Sequence, residues 1–187
     1  AAASDSELEP WEQEMARTAE GIGTLRSSAL ALWQPALDRL WPEIAVSGPH
    51  PVLAPRLELR PGWRSAEGPL ADFLLLNRRR DRELGYTTIG PQRADLGMGS
   101  PFGVETSQLS RGQSKLLALA LLLALAQALR AWTGKRSLLL LDDLQSELDI
   151  DRQVAVLDWV RQEGYQVFIS GTRIESAHRE RTLGWAV

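Results

Sequence analysis

The sequence predicts an α/β protein in which a parallel sheet follows an amino-terminal helical arm. After residue 110, segments with helical and strand periodicity alternate, and this order is typical of parallel strands joined by helices. The predicted segments are helix 110–132, strand 138–142, helix 150–162 and strand 165–170. Four consecutive leucines, 138–141, have the length and apolarity of a strand buried on both faces.

The arm is predicted from apolar or small residues that recur every three or four positions between Trp11 and Leu40. Gly21, Gly23 and Pro35 interrupt this pattern, and a helix interior loses about 1 kcal/mol at a glycine and about 3 kcal/mol at a proline. We therefore expect two or three helical pieces rather than one rod. Proline and glycine are frequent in residues 45–55, which predicts a boundary between an arm (1–48) and a lobe (49–187).

Three further elements are expected between the linker and the sheet. They are an edge strand at 56–60, a helix at 69–84 and a strand that starts at 87–89. The helix carries a basic run that is a candidate DNA contact, although most such runs are simply solvated. The run comprises Arg78, Arg79, Arg80 and Arg82.

Composition narrows the functional classes. The 187 residues include no cysteine and only two histidines, which excludes disulfide frameworks, thiolate metal sites and a zinc cluster. Because the net charge is −3, any DNA binding has to come from a local basic patch. The absence of cysteine fits a reducing cytoplasm, so we expect a cytoplasmic protein. The apolar run Leu116–Ala126 is shorter than the roughly 20 residues of a membrane span, so we expect a buried helix and no membrane. The start at Ala1, without an initiating methionine, suggests a fragment of a longer chain.

The start of the helix at Ser110 has the pattern of a phosphate site. Ser110 and Gln113 have the spacing of a capping box. The other first-turn amides and the helix dipole attract anions, Gly112 allows close approach of the backbone, and Arg111 adds charge. The alternative is a well-capped helix with no ligand.

Two carboxylates follow the leucine strand. Asp142 and Asp143 should emerge at the carboxyl edge of a parallel sheet, where open α/β sheets place ligands. One could bind Mg²⁺ together with nucleotide phosphates, and the other could orient an attacking water. The alternative is a pair of aspartates that cap a helix or form salt bridges.

The phosphate loop Gly-x-x-x-x-Gly-Lys-[Ser/Thr] does not occur in these 187 residues. Without that loop we do not expect this chain to hydrolyse ATP alone.

Residues 109–117, 140–149 and 166–170 together resemble the carboxy-terminal half of the RecF family of bacterial recombination-repair ATPases. Residues 90–96 favour RecF over the related SMC and RecN families. The resemblance implies a P-loop NTPase-like lobe of the ABC ATPase type that lacks the Walker A half, with the arm as the returning helices of a lid subdomain.

The resemblance also implies roles for individual residues. Asp142 would be the Walker B magnesium ligand and Asp143 the catalytic carboxylate. The signature residues would contact the γ-phosphate of an ATP held by the opposite subunit, and a D-loop would cross the dimer interface. The signature comprises Ser110, Arg111, Gly112 and Gln113, and the D-loop comprises Ser146, Glu147, Leu148 and Asp149.

A RecF-type protein implies ATP and Mg²⁺ as cofactors and a homodimer that clamps single-stranded or gapped DNA during recombinational repair and the SOS response. RecO and RecR would be its protein partners. Two alternatives remain open. One is a fragment of an SMC-like or RecN-like ATPase, and the other is a non-catalytic module that docks through its arm and its leucine-rich helix.

Overall fold

The computed structural model describes residues 4–45, 54–99, 106–144 and 148–171. The elements are α1 (Asp5–Ile44), β1 (Leu57–Arg60), α2 (Leu70–Leu84), β2 (Asp95–Met98), α3 (Arg111–Thr133), β3 (Leu138–Leu141), α4 (Ile150–Gln162) and β4 (Gln166–Ile169), with short 3-10 helices at Pro91–Arg93 and Thr106–Gln108. Internal contacts divide the chain into one unit of residues 1–31 with 57–98 and a second of residues 32–56 with 99–187. The predicted division into domains 1–48 and 49–187 stays a prediction.

The arm is a single helix, so the prediction of two or three pieces is wrong. Helix α1 runs for 40 residues through Gly21, Gly23 and Pro35. Beyond the proline, Leu37 and Trp41 are fully buried. Helices in proteins gain most of their stability from such packing, and here it outweighs the cost of the unfavourable residues.

The first unit packs the amino-terminal part of α1 against α2. Its core contains Ala16 and Ala19 from α1 and Leu70 and Leu74 from α2. In the same unit, β1 and β2 form an antiparallel pair in which Leu57 lies opposite Met98 and Arg60 opposite Asp95. The predicted helix at 69–84 and the predicted edge strand are therefore confirmed.

The strand predicted to begin at Thr87–Ile89 is wrong, because this segment is a loop. Side chains bond its backbone in place of a neighbouring strand. The backbone N–H of Thr88 donates to Asp81 Oδ1 at 3.1 Å, and Gln92 Nε2 donates to the carbonyls of Thr87 at 3.2 Å and Ile89 at 2.9 Å. Such local side-chain bonds compete with strand pairing.

Two glycines form a close backbone contact in the same unit. The N–H of Gly90 donates to the carbonyl of Gly62 at 3.1 Å, and both residues have positive φ, +125° and +92°. A Cβ atom at Gly62 would lie 2.2 Å from the Gly90 oxygen, so only glycine fits there. This contact gives a structural reason for the glycine at the start of residues 90–96.

The second unit contains α3, α4 and the parallel pair β3–β4. The predicted bounds of these four elements agree with the observed ones to within one residue at each end. Leu116 and Leu123 of α3 and Val156 and Val160 of α4 are buried. By length and composition alone, α3 could cross a membrane, a test that core helices of soluble proteins also pass.

The leucine strand β3 is not buried on both faces, so that expectation is wrong. Leu138 and Leu140 are 53% and 73% exposed, and Phe168 of β4 is 57% exposed. The parallel orientation is confirmed for β3 and β4, which pair only with each other in the described part of the chain.

Candidate functional site

The predicted capping box forms at the start of α3. The Oγ of Ser110 accepts the backbone N–H of Gln113 at 3.2 Å, and the side chain of Gln113 accepts the N–H of Ser110 at 2.9 Å. These bonds fix the direction in which the helix starts. They leave the first-turn amides of Arg111 and Gly112 as those that helical bonding does not use, which is the arrangement that binds anions at helix starts.

A lysine joins this helix to the end of the leucine strand. The Nζ of Lys115 donates to the backbone carbonyl of Asp143 at 3.0 Å. The second turn of α3 and the carboxyl end of β3 therefore lie together within the second unit. The lysine that makes this contact was not singled out by the sequence analysis.

Asp142 is held by a hydroxyl from the neighbouring strand. The Oγ of Ser170 donates to Asp142 Oδ1 and accepts the N–H of Asp143 at 3.4 Å. The N–H of Ser170 in turn donates to the carbonyl of Leu141 at 3.0 Å. The carboxylate is exposed, so it is oriented by the protein and still accessible to a ligand.

Asp143 has an unusual backbone conformation. Its φ is +47°, and it has the only positive φ at a non-glycine position among the described residues. Aspartate tolerates this left-handed region better than most residues, yet it still costs of order 1 kcal/mol or more. Strained residues of this kind cluster at functional sites. This turn directly follows β3 and carries the second of the two consecutive aspartates at the sheet edge.

The residues at this edge fit a hard cation. The Asp142 carboxylate and the Ser170 hydroxyl supply oxygen atoms, which Mg²⁺ prefers. Among the described residues, no group of three or more metal-ligating side chains occurs. Mg²⁺ in nucleotide sites commonly uses one or two carboxylates and completes its shell with water and phosphate oxygens, so a single protein carboxylate is sufficient.

The predicted D-loop is described in part. Leu148 is buried, and its carbonyl accepts from Gln153 Nε2 at 2.7 Å. Asp149 caps α4, where Oδ1 accepts the N–H of Arg152 at 2.9 Å. Ser146 and Glu147 lie outside the described residues. Asp149 is thus explained by helix capping, and a role in nucleotide binding stays a prediction.

The basic run of α2 separates into arginines paired with α1 and arginines that face solvent. The side chain of Arg78 is 10% exposed and forms a bidentate ion pair with Glu12, with Nε to Oε1 at 2.9 Å and Nη2 to Oε2 at 2.5 Å. These bonds raise the pKa of Arg78. Arg82 pairs with Asp5 at 2.5 Å, which lowers the pKa of Asp5.

Arg79 and Arg80 of the same run face solvent. The side chain of Arg79 is 94% exposed and lies 3.2 Å from Glu83, a surface pair of the kind that contributes little. The run therefore holds α1 on one side and presents cations on the other.

Sequence reasoning missed Lys115 and Ser170 as site residues. The register places Leu141 beside Ile169, so the next residues of the two strands, Asp142 and Ser170, are neighbours at the sheet edge. A polar residue directly after the second of two parallel strands was the available signal for Ser170. No comparable signal marked Lys115.

Comparison with known proteins points to one family. No family model matches the chain. The curated DNA replication and repair protein RecF of Stenotrophomonas maltophilia is 40% identical over 176 residues, 94% of this chain and 47% of that protein. The RecF of Vibrio vulnificus is 40% identical over 90% of this chain and 45% of its own length, and that of Xanthomonas oryzae is 41% identical over 89% and 45%.

Solved structures show the same relationship in the fold. A RecF–ATP structure of the recombination mediator protein in the RecFOR pathway superposes with a TM-score of 0.68 and 24% identity, covering 92% of this chain and 47% of that one. A RecF–ATPrS structure gives a TM-score of 0.67 and 23% identity. The chain spans about half the length of the relatives it matches, which is consistent with a carboxy-terminal half. Along nearly its whole length, this chain is a homologue of one half of the RecF proteins.

Proposed function

We propose that this chain is the carboxy-terminal half of a RecF-type DNA repair ATPase, which works only when the other half supplies the phosphate loop. The proposal rests on the arrangement of residues at the carboxyl ends of β3 and β4. There the Ser170 hydroxyl donates to Asp142, and Asp143 has a left-handed backbone conformation. Lys115 of α3, the helix that begins with the signature residues, donates to the backbone of Asp143.

Asp142 would hold Mg²⁺ at this edge, and the ion would neutralise charge on the nucleotide phosphates. Ser170 orients the carboxylate through its hydroxyl. Asp143, the adjacent carboxylate, would accept a proton from the attacking water or orient that water.

The start of α3 would act on a second nucleotide. Its first-turn amides and Arg111 form a surface that attracts phosphate, and we assign it to an ATP held by the opposite subunit of a homodimer. The sites would then be shared between subunits, with the D-loop residues at the interface.

DNA binding is the third part of the proposal. The overall charge is −3, so contacts to the DNA backbone require a local cationic surface. Arg79 and Arg80 are exposed while Arg78 and Arg82 are paired to α1, so we assign DNA contact to Arg79 and Arg80. We further propose gapped or single-stranded DNA, RecO and RecR as partners, in the cytoplasm and without a membrane.

The test uses the chain co-expressed with the missing half of a RecF relative. Asp142→Asn keeps the size of the side chain but removes the charge, and we expect Mg²⁺-dependent ATP turnover to fall at least 100-fold, on the scale of about 3 kcal/mol of transition-state stabilisation. Asp151→Asn, which changes an exposed carboxylate in the first turn of α4, is the control and should keep turnover within about twofold. Equal turnover in Asp142→Asn and the wild type would refute the assignment.

A further inference from the structure

Lys115 contacts the turn that carries the second aspartate. It lies in the second turn of α3, and its Nζ donates to the backbone carbonyl of Asp143 at 3.0 Å. The donor belongs to a half-buried side chain, and hydrogen bonds from a charged donor are roughly twice as strong as bonds between neutral groups. The contact joins residues 28 positions apart in the chain, so it forms only when α3 and the end of β3 have packed together.

The Asp143 turn depends on its surroundings. The φ of Asp143 is +47°, a conformation that persists at a non-glycine residue only where neighbouring groups impose it. On the amino side, the N–H of Asp143 donates to Ser170 Oγ over a long 3.4 Å, and on the carboxyl side Leu144 is buried. The Lys115 bond acts on the peptide group between Asp143 and Leu144. It therefore holds the backbone from which the Asp143 carboxylate extends.

The same lysine belongs to the helix that begins with the signature residues. Ser110 caps α3, and Arg111 opens its first turn. Groups on a helix are held more precisely than groups on a loop. Lys115 therefore fixes the Asp143 turn relative to the start of α3 within one chain.

We propose that Lys115 is a positioning residue for the Asp143 carboxylate. This rests on the proposed function, because that function assigns Asp143 to the attacking water. Lys115 acts through the backbone of Asp143 and not on the nucleotide. Its loss should therefore lower the rate of the chemical step and leave the binding of ATP intact.

The first measurement follows the turn itself, in this chain alone and without ATP. Backbone NMR chemical shifts of the isotope-labelled chain report whether Asp143 is left-handed. Lys115→Met keeps the length of the side chain and removes the donor, so Asp143 should lose its left-handed shifts. Lys115→Arg keeps a charged donor and should retain them. Lys135→Met is the control, because Lys135 is an exposed lysine directly after the C-cap of α3, and its Asp143 shifts should equal those of the wild type.

The second measurement is ATP turnover after co-expression with the part of the Stenotrophomonas maltophilia RecF that lies outside the match. Lys115→Met should lower kcat on the order of 100-fold, because a misplacement of about 1 Å can cost that much. The KM for ATP should stay within about threefold of the wild type. Lys115→Arg should keep most of the turnover, and Lys135→Met should keep all of it.

Because Lys115 is only half-buried, Lys115→Met should keep the helix content of the wild type, which circular dichroism of the free chain checks. Left-handed shifts that persist in Lys115→Met overturn the inference, and so does a rise in KM with kcat unchanged. An equal loss of turnover in Lys115→Arg and Lys115→Met also overturns it, because the donor is then not the cause. A wild-type pair without ATP turnover contradicts the proposed function, whereas loss of the left-handed shifts in Lys115→Met still supports Lys115 as the residue that holds the turn.

Discussion

Adjacent arginines of α2 differ in their contacts and in their exposure to solvent. Arg78 is buried against α1 and paired with Glu12 and Asp5, whereas Arg79 is almost fully exposed. Position around the helix decides this difference, because one residue turns the side chain by about 100°. The sequence showed the basic run but could not show which members face inward.

We expect Arg78→Ala to lower the urea midpoint of unfolding clearly, because it leaves the partly buried Glu12 carboxylate without its partner. Arg79→Ala should change the free energy of unfolding by no more than about 0.5 kcal/mol. Chemical denaturation followed by circular dichroism measures both. Equal effects would contradict the separation into a paired side and an exposed side.

The same cluster predicts a pH dependence. Hydrogen bonding to Arg82 lowers the pKa of Asp5, so the folded state favours the charged carboxylate. Its stabilising contribution is present at neutral pH and lost as the pH falls through that lowered pKa. Asp5→Asn should therefore reduce the loss of stability between about pH 5 and pH 2, as measured by urea midpoints across that range. If the urea midpoint of Asp5→Asn falls with decreasing pH as steeply as that of the wild type, Asp5 does not have this role.

Ser170 is expected to position the magnesium ligand. Ser170→Ala removes a hydrogen bond to a charged group, which is typically worth about 1.5–3 kcal/mol. When this chain is co-expressed with the missing half of a RecF relative, the Mg²⁺ concentration that gives half-maximal ATP turnover should rise roughly tenfold or more. Ser170→Thr keeps the hydroxyl and should restore the wild-type value. If threonine fails as alanine does, the hydroxyl is not the cause.

At the scale of elements, local signals predicted most of the second unit. The capping box marked the start of α3, and the leucine run marked β3. Asp149, which the sequence analysis placed only in the D-loop, caps α4. The predictions that failed concern segments whose structure depends on contacts with residues outside the segment itself. Burial of Leu37 and Trp41 keeps α1 continuous, and the Asp81 carboxylate prevents a strand at Thr87–Ile89.

Two glycines of the first unit provide a test of the continuous α1. A methyl group added at Gly21 or at Gly85 would enter open space, but Gly21 is helical and Gly85 has φ +76°. Gly21→Ala should stabilise the first unit by about 0.5–1 kcal/mol, whereas Gly85→Ala should destabilise it by about 1 kcal/mol or more. Thermal unfolding measures both. Destabilisation by Gly21→Ala would contradict an uninterrupted helix there.

At the scale of the whole molecule, the sequence predicted the position of the two carboxylates better than their surroundings. Asp142 and Asp143 were predicted at the sheet edge because an apolar strand led to them. Ser170 was missed because it lies 28 residues later and becomes a neighbour only through strand pairing. The exposure of Leu140 was missed because a leucine run has the same sequence pattern whether its strand is covered or exposed.

The central claim is that the chain is one half of an ATP-hydrolysing protein. The most direct test is ATP turnover, in Mg²⁺, of this chain alone, of the missing RecF half alone, and of the two co-expressed. We predict background turnover for each part and Mg²⁺-dependent turnover for the pair. A pair that forms and yet does not exceed the sum of its parts, or a chain that hydrolyses ATP alone, would contradict that claim.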